Sequence, residues 1–204
     1  MKNDIFNYIT LIYPCPSISP RVQGNLSKQD PSIALIASLI LVGIFTLAEG
    51  LSEIGLEVYP SEFLRGTMAC TGVEFCKLAI TNTKDRATAL VAELEIRMPV
   101  NAIPLAVHVN GCPNSCAQIQ VADIGLKGIR APDADGNDIE AFQIHLGGRL
   151  AQDSGFGSTF KGVRLPGNDL PDYVERVFTR FIAEHDGEDA FSTWALRADE
   201  ELTR

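Results

Sequence analysis

The stretch "IPLAVHVNGCPNSCAQIQVADIGLKGI", residues 103–129, carries the pattern that decides the fold. Its first seven residues alternate apolar and other side chains, which predicts a half-buried strand running directly into the pair Cys112 and Cys116. Residues 118–129 and the later segment "DIEAFQIHLGG", residues 138–148, alternate in the same way. Because the turn-forming sequence "RAPDADGN" joins these two segments, we expect neighbouring strands connected by a hairpin.

Helical periodicity flanks this strand region on both sides. Residues 75–98 place apolar side chains near one face, which predicts an amphipathic helix that starts at or just after Cys76. Residues 169–185 show helical spacing after Asp169, a candidate cap, and predict a packed structural helix. Residues 47–58 predict a helix followed by a short strand. These elements together indicate an α+β fold.

Composition limits the classes of function. The 204 residues include 17 basic and 26 acidic side chains, for a net charge of -9, which argues against a nucleic-acid or anionic-membrane binder. Five cysteines are too few for a secreted disulfide scaffold. The odd cysteine is Cys15, which we interpret as a free thiol in an irregular N-terminus. A cytoplasmic location is therefore expected.

An uncharged apolar run occupies residues 31–48. Its 18 positions reach the lower limit for a membrane-spanning helix. The 30 residues before it are long for a signal peptide, include several prolines and lack a compact basic region. We favour a buried strand and the start of a helix, with a membrane or signal element and a non-native or disordered leader as alternatives.

Four cysteines form two pairs. Five residues separate Cys70 from Cys76, three separate Cys112 from Cys116, and 35 lie between the pairs. Buried cysteines acting as small hydrophobes and a zinc site are alternatives, but structural zinc sites favour a shorter spacing than the first pair has. An iron–sulfur cubane needs four thiolates from different directions, which a wide loop and a tight turn supply. The spacing favours an iron–sulfur site.

The second pair also suggests a local geometry. If Pro113 is the first residue of a helix, Cys112 and Cys116 project from one face, one turn apart. The free N–H groups and partial positive charge of a helix start would stabilise thiolates. Gly72 and Gly111 would allow the backbone to approach a bound group closely.

These residues resemble a known family. The segments "GTMACTGVEFCKLAITNTK", "VHVNGCPNSCAQIQVADIGLKG" and "FQIHLGGRLAQDSGFGSTFKG" are similar to the C-terminal half of bacterial ferredoxin-dependent nitrite and sulfite reductases, over roughly residues 46–204. The resemblance implies a 4Fe-4S cluster coupled to a siroheme. Its implied cluster ligands are Cys70, Cys76, Cys112 and Cys116, and Cys116 would also be the proximal ligand of the siroheme iron. Ferredoxin would be the electron donor for the six-electron reduction of sulfite or nitrite, which the sequence does not distinguish.

The chain departs from the family in lacking its first half, which supplies the cationic side chains that bind the substrate anion. No catalytic residue is therefore identifiable, and a fragment or one piece of a split enzyme, completed by a separate N-terminal half, is expected. The alternative is a noncatalytic iron–sulfur electron-transfer module. We divide the chain into a leader (1–45), part of a ferredoxin-like half-domain (46–65) and a mixed α/β domain for the 4Fe-4S cluster and siroheme (66–204).

Further residues are weaker candidates. Siroheme is strongly anionic, so Arg130, Arg149, Lys161 and Arg164 are candidates for its carboxylates, against the simpler interpretation of solvated surface charges. Asn114, inside the second motif, is a candidate donor toward a cluster sulfur.

Histidines and a calcium-like acidic run are also present. His108, His145 and His185 have no ligand-like partner in sequence and are expected to be satisfied or exposed. The run "DADGND" begins like a calcium loop but lacks its later glycine and glutamate, so a hairpin turn is expected.

Overall fold

A computed structural model describes residues 31–99, 103–150, 155–160, 162–185, 187 and 190–198. The helices are α1 (Pro31–Glu53), α2 (Glu62–Gly66), α3 (Lys84–Arg97), α4 (Leu170–Glu184) and α5 (Phe191–Arg197), with short 3-10 turns at Ile119–Val121 and Gly167–Asp169. The strands are β1 (Thr67–Ala69), β2 (Val107–Asn110), β3 (Ile124–Pro132), β4 (Asp138–Leu146), β5 (Ser158–Thr159) and β6 (Leu165–Pro166). The chain divides into two compact units, Met1–Val58 and Tyr59–Arg204.

Helix α1 belongs to the first unit. The predicted buried strand at its start is wrong, because the whole of Pro31–Glu53 is one helix and its large apolar side chains are exposed. Residues Leu35–Glu53 are long and apolar enough to cross a membrane, by length and composition alone, and none of that window is buried. The boundary expected after residue 45 falls inside this helix. The irregular segment predicted for residues 1–30 lies outside the described residues.

The second unit is built on a mixed sheet of order β1-β2-β3-β4-β5, with β6 also paired to β4. Strands β1, β2 and β3 are parallel, and β4 runs antiparallel to β3. The predicted β3–β4 hairpin is confirmed. Its turn is held by Asp133, whose Oδ1 accepts hydrogen bonds from the backbone N–H groups of Asp135 (2.9 Å) and Asn137 (2.8 Å). The side-chain amide of Asn137, whose Nδ2 donates to Oδ2 of Asp133 at 3.1 Å, lowers the pKa of Asp133 most, and the two backbone bonds lower it further. These contacts confirm a hairpin turn at the calcium-like run.

The core lies on one face of this sheet. Val107 and Val109 of β2 and Ile124 and Leu126 of β3 point to that face, because alternate strand residues share a side. The predicted C-terminal helix is confirmed as α4, although the side chain of Asp169 makes no cap hydrogen bond. Helices α3 and α4 contribute their buried residues to this core: Leu90, Leu94, Val174, Val177, Phe178 and Phe181. Strand β2 was expected to be half-buried, yet all four of its residues are buried.

Helix α3 begins later than its periodicity predicts. The structure starts it at Lys84, eight residues after Cys76, and leaves Phe75 and Leu78 exposed. The reason is a competing backbone bond: the N–H of Ile80 donates to the carbonyl of Gly111 at 2.8 Å, which holds this segment against the end of β2. A backbone donor used in this way cannot join a helix that starts at Cys76.

Close packing at Gly125 gives a stability prediction. A Cβ added at Gly125 would lie 2.2 Å from the carbonyl oxygen of Ile119. Gly125→Ala therefore forces the backbone at Ile119 and β3 to move apart. We expect the free energy of unfolding to fall by about 1–3 kcal/mol, measured by urea denaturation. Gly155→Ala is the matched control, because a Cβ at Gly155 would have no neighbour within 4 Å. Equal stability of the two variants would contradict the close approach.

Candidate functional site

The two cysteine loops meet at one edge of the sheet. Cys70 directly follows β1, and Cys112 lies two residues beyond the end of β2. Since β1 and β2 are parallel, both strands deliver their following loops to the same edge. The backbone N–H of Cys70 continues the ladder by donating to the carbonyl of Val109 at 3.0 Å.

A direct hydrogen bond joins the two loops. The N–H of Gly111 donates to Sγ of Cys70 at 3.2 Å, and the hydroxyl of Thr83 donates to the Cys70 carbonyl at 2.8 Å. A donor aimed at sulfur stabilises thiolate character. Space is tight here: a Cβ on Gly72 would approach Oγ1 of Thr83 to 2.5 Å, and the φ of Gly72 is 73°. Glycine fits both demands.

The predicted helix at Pro113 is wrong. Residues 111–118 form turns, and Ser115 (φ 57°) and Gln118 (φ 55°) adopt left-handed backbone conformations that stop a right-handed helix. Cys112 and Cys116 are therefore not neighbours on a helix face. The loop is instead held from within by Asn110, whose Nδ2 donates to the carbonyl of Cys112 (2.5 Å) and whose Oδ1 accepts from the N–H of Ala117 (2.9 Å).

The four cysteines are free thiols with graded exposure. Cys112 is buried, Cys70 and Cys76 are half-buried, and Cys116 is exposed. Among the described residues, no three Cys, His, Asp or Glu side chains converge on a single metal position. A cluster differs from a single ion in this respect, because iron and sulfide atoms separate its thiolates. A four-thiolate donor set on two joined loops, with an N–H already directed at one sulfur, fits such a group.

The other candidates are spread more widely. Arg130 is engaged by Asp138, with Nε 3.0 Å from its Oδ2. Arg149 pairs with Gly155 just after β4, at the sheet edge opposite the cysteines, and its charge acts on Asp123 there. Asn114 is exposed in the cysteine loop, Arg164 is exposed near β6, and Lys161 lies outside the described residues. The structure therefore joins the loops that carry Cys70 and Cys112, and Arg149 lies after the opposite end of the strands.

A cavity of about 410 Å³ also lies at the edge opposite the cysteines. Arg149, Asp123, His108 and Phe181 are among its lining residues. Burial raises the pKa of Asp123, while a backbone hydrogen bond from Ala106 and the charge of Arg149 oppose that rise. Among the described residues no cysteine lines this cavity, although its lining residue His108 contacts the carbonyl of Gln118, at the end of the second cysteine loop.

Two histidines lie on the sheet face opposite the core. His108, Gly125 and His145 pair side by side in register across β2, β3 and β4. His108 Nδ1 is 3.2 Å from the Gln118 carbonyl, and His145 Nδ1 is 3.0 Å from Oγ1 of Thr159. Both are 7% exposed, so neither is an exposed histidine, and Nε2 of His145 has no partner within the described part of the chain. His185 contacts the carbonyls of Phe181 and Ile182.

Burial of His145 gives a pH prediction. Its pKa lies below the ordinary value of 6.5, first because of burial and second because of Lys127. The folded state therefore favours neutral imidazole, while the unfolded chain takes up a proton near that value. The free energy of unfolding should fall as the pH drops below about 6.5. Urea unfolding at pH 7.5 and 5.5 should show a smaller loss for His145→Gln than for the parent chain; an equal loss would contradict this.

Asn110 and Thr83 are the site residues that sequence patterns missed. Both are buried polar side chains with hydrogen-bonded partners at the cysteine loops. The sequence did contain a signal for Asn110: it ends an apolar strand, directly before Gly111. A polar side chain buried at such a position needs hydrogen-bond partners.

Residues 61–193 match the family model described as "Nitrite and sulphite reductase 4Fe-4S domain". The chain belongs to this family. The domain carries a 4Fe-4S cluster, and members of the family combine it with siroheme. The resemblance noted from the sequence and the α+β fold class are thereby confirmed.

Named relatives agree with this assignment. Sulfite reductase [ferredoxin] 2 of Mycolicibacterium paratuberculosis is 49% identical over 159 residues, covering 76% of this chain and 29% of the relative. The chloroplastic ferredoxin–nitrite reductase of Zea mays is 43% identical over 134 residues, covering 65% and 23%. The solved structure of Mycobacterium tuberculosis NirA superposes with a TM-score of 0.75 at 43% identity, covering 79% of this chain and 30% of NirA. The chain thus spans less than a third of the length of these relatives.

Proposed function

We propose that this nitrite and sulphite reductase domain is the cluster-bearing part of a ferredoxin-dependent reductase. Cys70, Cys76, Cys112 and Cys116 would hold the 4Fe-4S cluster, and Cys116 would also be the siroheme ligand. The hydrogen bond from Gly111 to Sγ of Cys70 carries the proposal, because it joins the two cysteine motifs at one edge of the sheet. The relatives named above support ferredoxin as electron donor and sulfite or nitrite as substrate.

The residues of this chain have distinct parts in the proposal. The cofactors, when bound, supply electron storage and transfer. Gly111 stabilises negative charge at Cys70, and burial keeps water from Cys112. Cys116 is exposed, so a second group can approach it from solvent. Thiolate ligands require a reducing compartment, so we propose the cytoplasm.

A noncatalytic electron-transfer module is the second candidate. The argument for it is the placement of two cations: Arg130 is held by Asp138, and Arg149 lies at the opposite sheet edge. An anion-reducing site needs positive groups around the bound substrate. In the relatives those groups would come from the part of their length that this chain does not match.

Anaerobic purification of the 204-residue chain tests the proposal. Iron, sulfide and zinc are quantified, siroheme is added, and absorption and electron paramagnetic resonance spectra are recorded. We expect about four iron and four sulfide per chain, as the cluster type requires. Siroheme uptake should require the cluster. A chain that binds one zinc and no iron, or that binds no metal at all, would overturn the assignment.

A further inference from the structure

We infer that Asn110 is the positioning residue that sets the Cys112–Ala117 loop for cluster and siroheme attachment, an inference that rests on the proposed function. Asn110 ends β2 and is 0% exposed. Its amide spans the loop: Nδ2 donates to the Cys112 carbonyl at 2.5 Å, and Oδ1 accepts from the Ala117 N–H at 2.9 Å. The two bonds bracket the segment that contains both cysteines of the motif.

The loop needs such a constraint because its backbone is strained. Ser115 and Gln118 hold φ values of 57° and 55°, which non-glycine residues adopt only when their surroundings impose it. The N–H of Gln118 donates to the Ser115 carbonyl at 2.8 Å, and Gln120 Nε2 donates to Ser115 Oγ at 2.9 Å. These bonds act among residues 115–120. Asn110 ties Cys112 and Ala117 to the end of β2, while His108 of the same strand contacts only the last residue of the loop, with Nδ1 3.2 Å from the Gln118 carbonyl.

The chemistry of the side chain matters as much as its position. One end must donate and the other must accept, in a position shielded from solvent, and a primary amide does both. Aspartate keeps the acceptor for Ala117 but loses the donor for Cys112, whereas leucine keeps the volume and loses both. A buried backbone group deprived of its partner is costly, so the loop would open to find solvent.

A second consequence passes through the neighbouring peptide. Gly111 follows Asn110 directly in the chain, and the N–H of the peptide that joins them donates to Sγ of Cys70 at 3.2 Å. When the Asn110 side chain is released, the peptide that carries this donor loses its fixed orientation. Hydrogen bonds to ligand sulfur favour the more negative, reduced cluster. The reduction potential should therefore fall when Asn110 is replaced.

The experiment compares Asn110→Leu and Asn110→Asp with Val107→Ala in the full chain. Val107 is a fully buried neighbour on the same strand, but it faces the core, so its truncation lowers stability without touching the loop. Amide hydrogen exchange at Ala117, iron and sulfide content, siroheme uptake and cluster potential are measured. For Asn110→Leu we expect at least tenfold faster exchange at Ala117, several-fold lower cluster and siroheme occupancy, and a lower potential. Asn110→Asp should keep more Ala117 protection than Asn110→Leu.

Each outcome bears on a different claim. If the parent chain binds no cluster, the proposed function fails, while the exchange measurement still decides whether Asn110 holds the loop. If the parent binds a cluster and Asn110→Leu matches it in potential and occupancy, the inference is overturned. If Val107→Ala loses the cluster and lowers the potential to the same extent, Asn110 is a general stabilising residue, which also overturns the inference.

Discussion

Cys116→Ser is expected to abolish siroheme attachment completely and to disturb the cluster. In the proposed site the sulfur of Cys116 serves both groups, and serine oxygen is a much poorer ligand for iron in this setting. The exposure of Cys116 means that its replacement leaves no cavity in the core, so loss of cofactor would not follow from unfolding. The measurement is the absorption spectrum, with iron, sulfide and siroheme content, after anaerobic reconstitution.

Cys15→Ser is the matched control. Cys15 lies outside the described residues and outside residues 61–193, which match the family model. We expect this variant to bind cluster and siroheme in the amounts that the parent binds. Equal cofactor loss in Cys15→Ser and Cys116→Ser would refute the ligand assignment. Retention of siroheme by Cys116→Ser would instead require a different proximal ligand.

The neighbours β3 and β4 were predictable from the sequence, because both segments alternate and a cluster of turn formers joins them. The meeting of the cysteine loops was not, because it depends on the parallel pairing of β1 with β2, and no strand was predicted at residues 67–69. Sequence patterns also failed inside the second cysteine loop. Pro113 is compatible with a helix start, but the side chain of Asn110 bonds the backbone groups of Cys112 and Ala117, two and seven positions further along the chain. Local propensity does not report such contacts.

The first residue of α3 and the exposed, fully helical structure of α1 were not predicted from the sequence, for related reasons. Periodicity could not show that Ile80 gives its N–H to Gly111, a contact that the fold of the sheet creates. A continuous apolar run such as residues 31–48 fits a buried strand, a buried helix or an exposed helix equally well by pattern. The burial of His145 was also not predictable from its neighbours in the sequence. It follows from the pairing of β4 with β3, which places His145 beside Gly125.

The second large effect concerns turnover. We expect the reconstituted 204-residue chain to reduce sulfite or nitrite at least about a thousandfold more slowly than the same chain supplied with the missing part of a relative. Each preorganised positive donor around a reacting anion is typically worth about 3–4 kcal/mol, although such losses are not additive. Arg130 is held by Asp138 and Arg149 lies at the far sheet edge, so neither is placed to supply that charge.

An exposed apolar surface lies beside the cysteines. Phe75 is 70% exposed and Leu78 is 64% exposed in the loop that carries Cys76, with Val73 and Met68 also exposed nearby in the chain. Exposed apolar side chains grouped in this way mark a surface that another protein segment covers. The chain alone should therefore self-associate, and Phe75→Ser with Leu78→Ser should reduce that tendency in sedimentation experiments. The same double variant should also respond less to the added partner.

The assay is anaerobic turnover with reduced viologen, with and without the separately expressed first two-thirds of a related reductase. We expect sulfide or ammonia only when both parts are present, with the rate saturating as the added part is increased. The Cys116→Ser chain mixed with the same partner is the control for activity carried by the partner alone. Robust product formation by the 204-residue chain without a partner would overturn the prediction, because it would require an anion site built from this chain's own cations. Arg130 would then have to leave Asp138 to form it, and Arg130→Ala would abolish the rate.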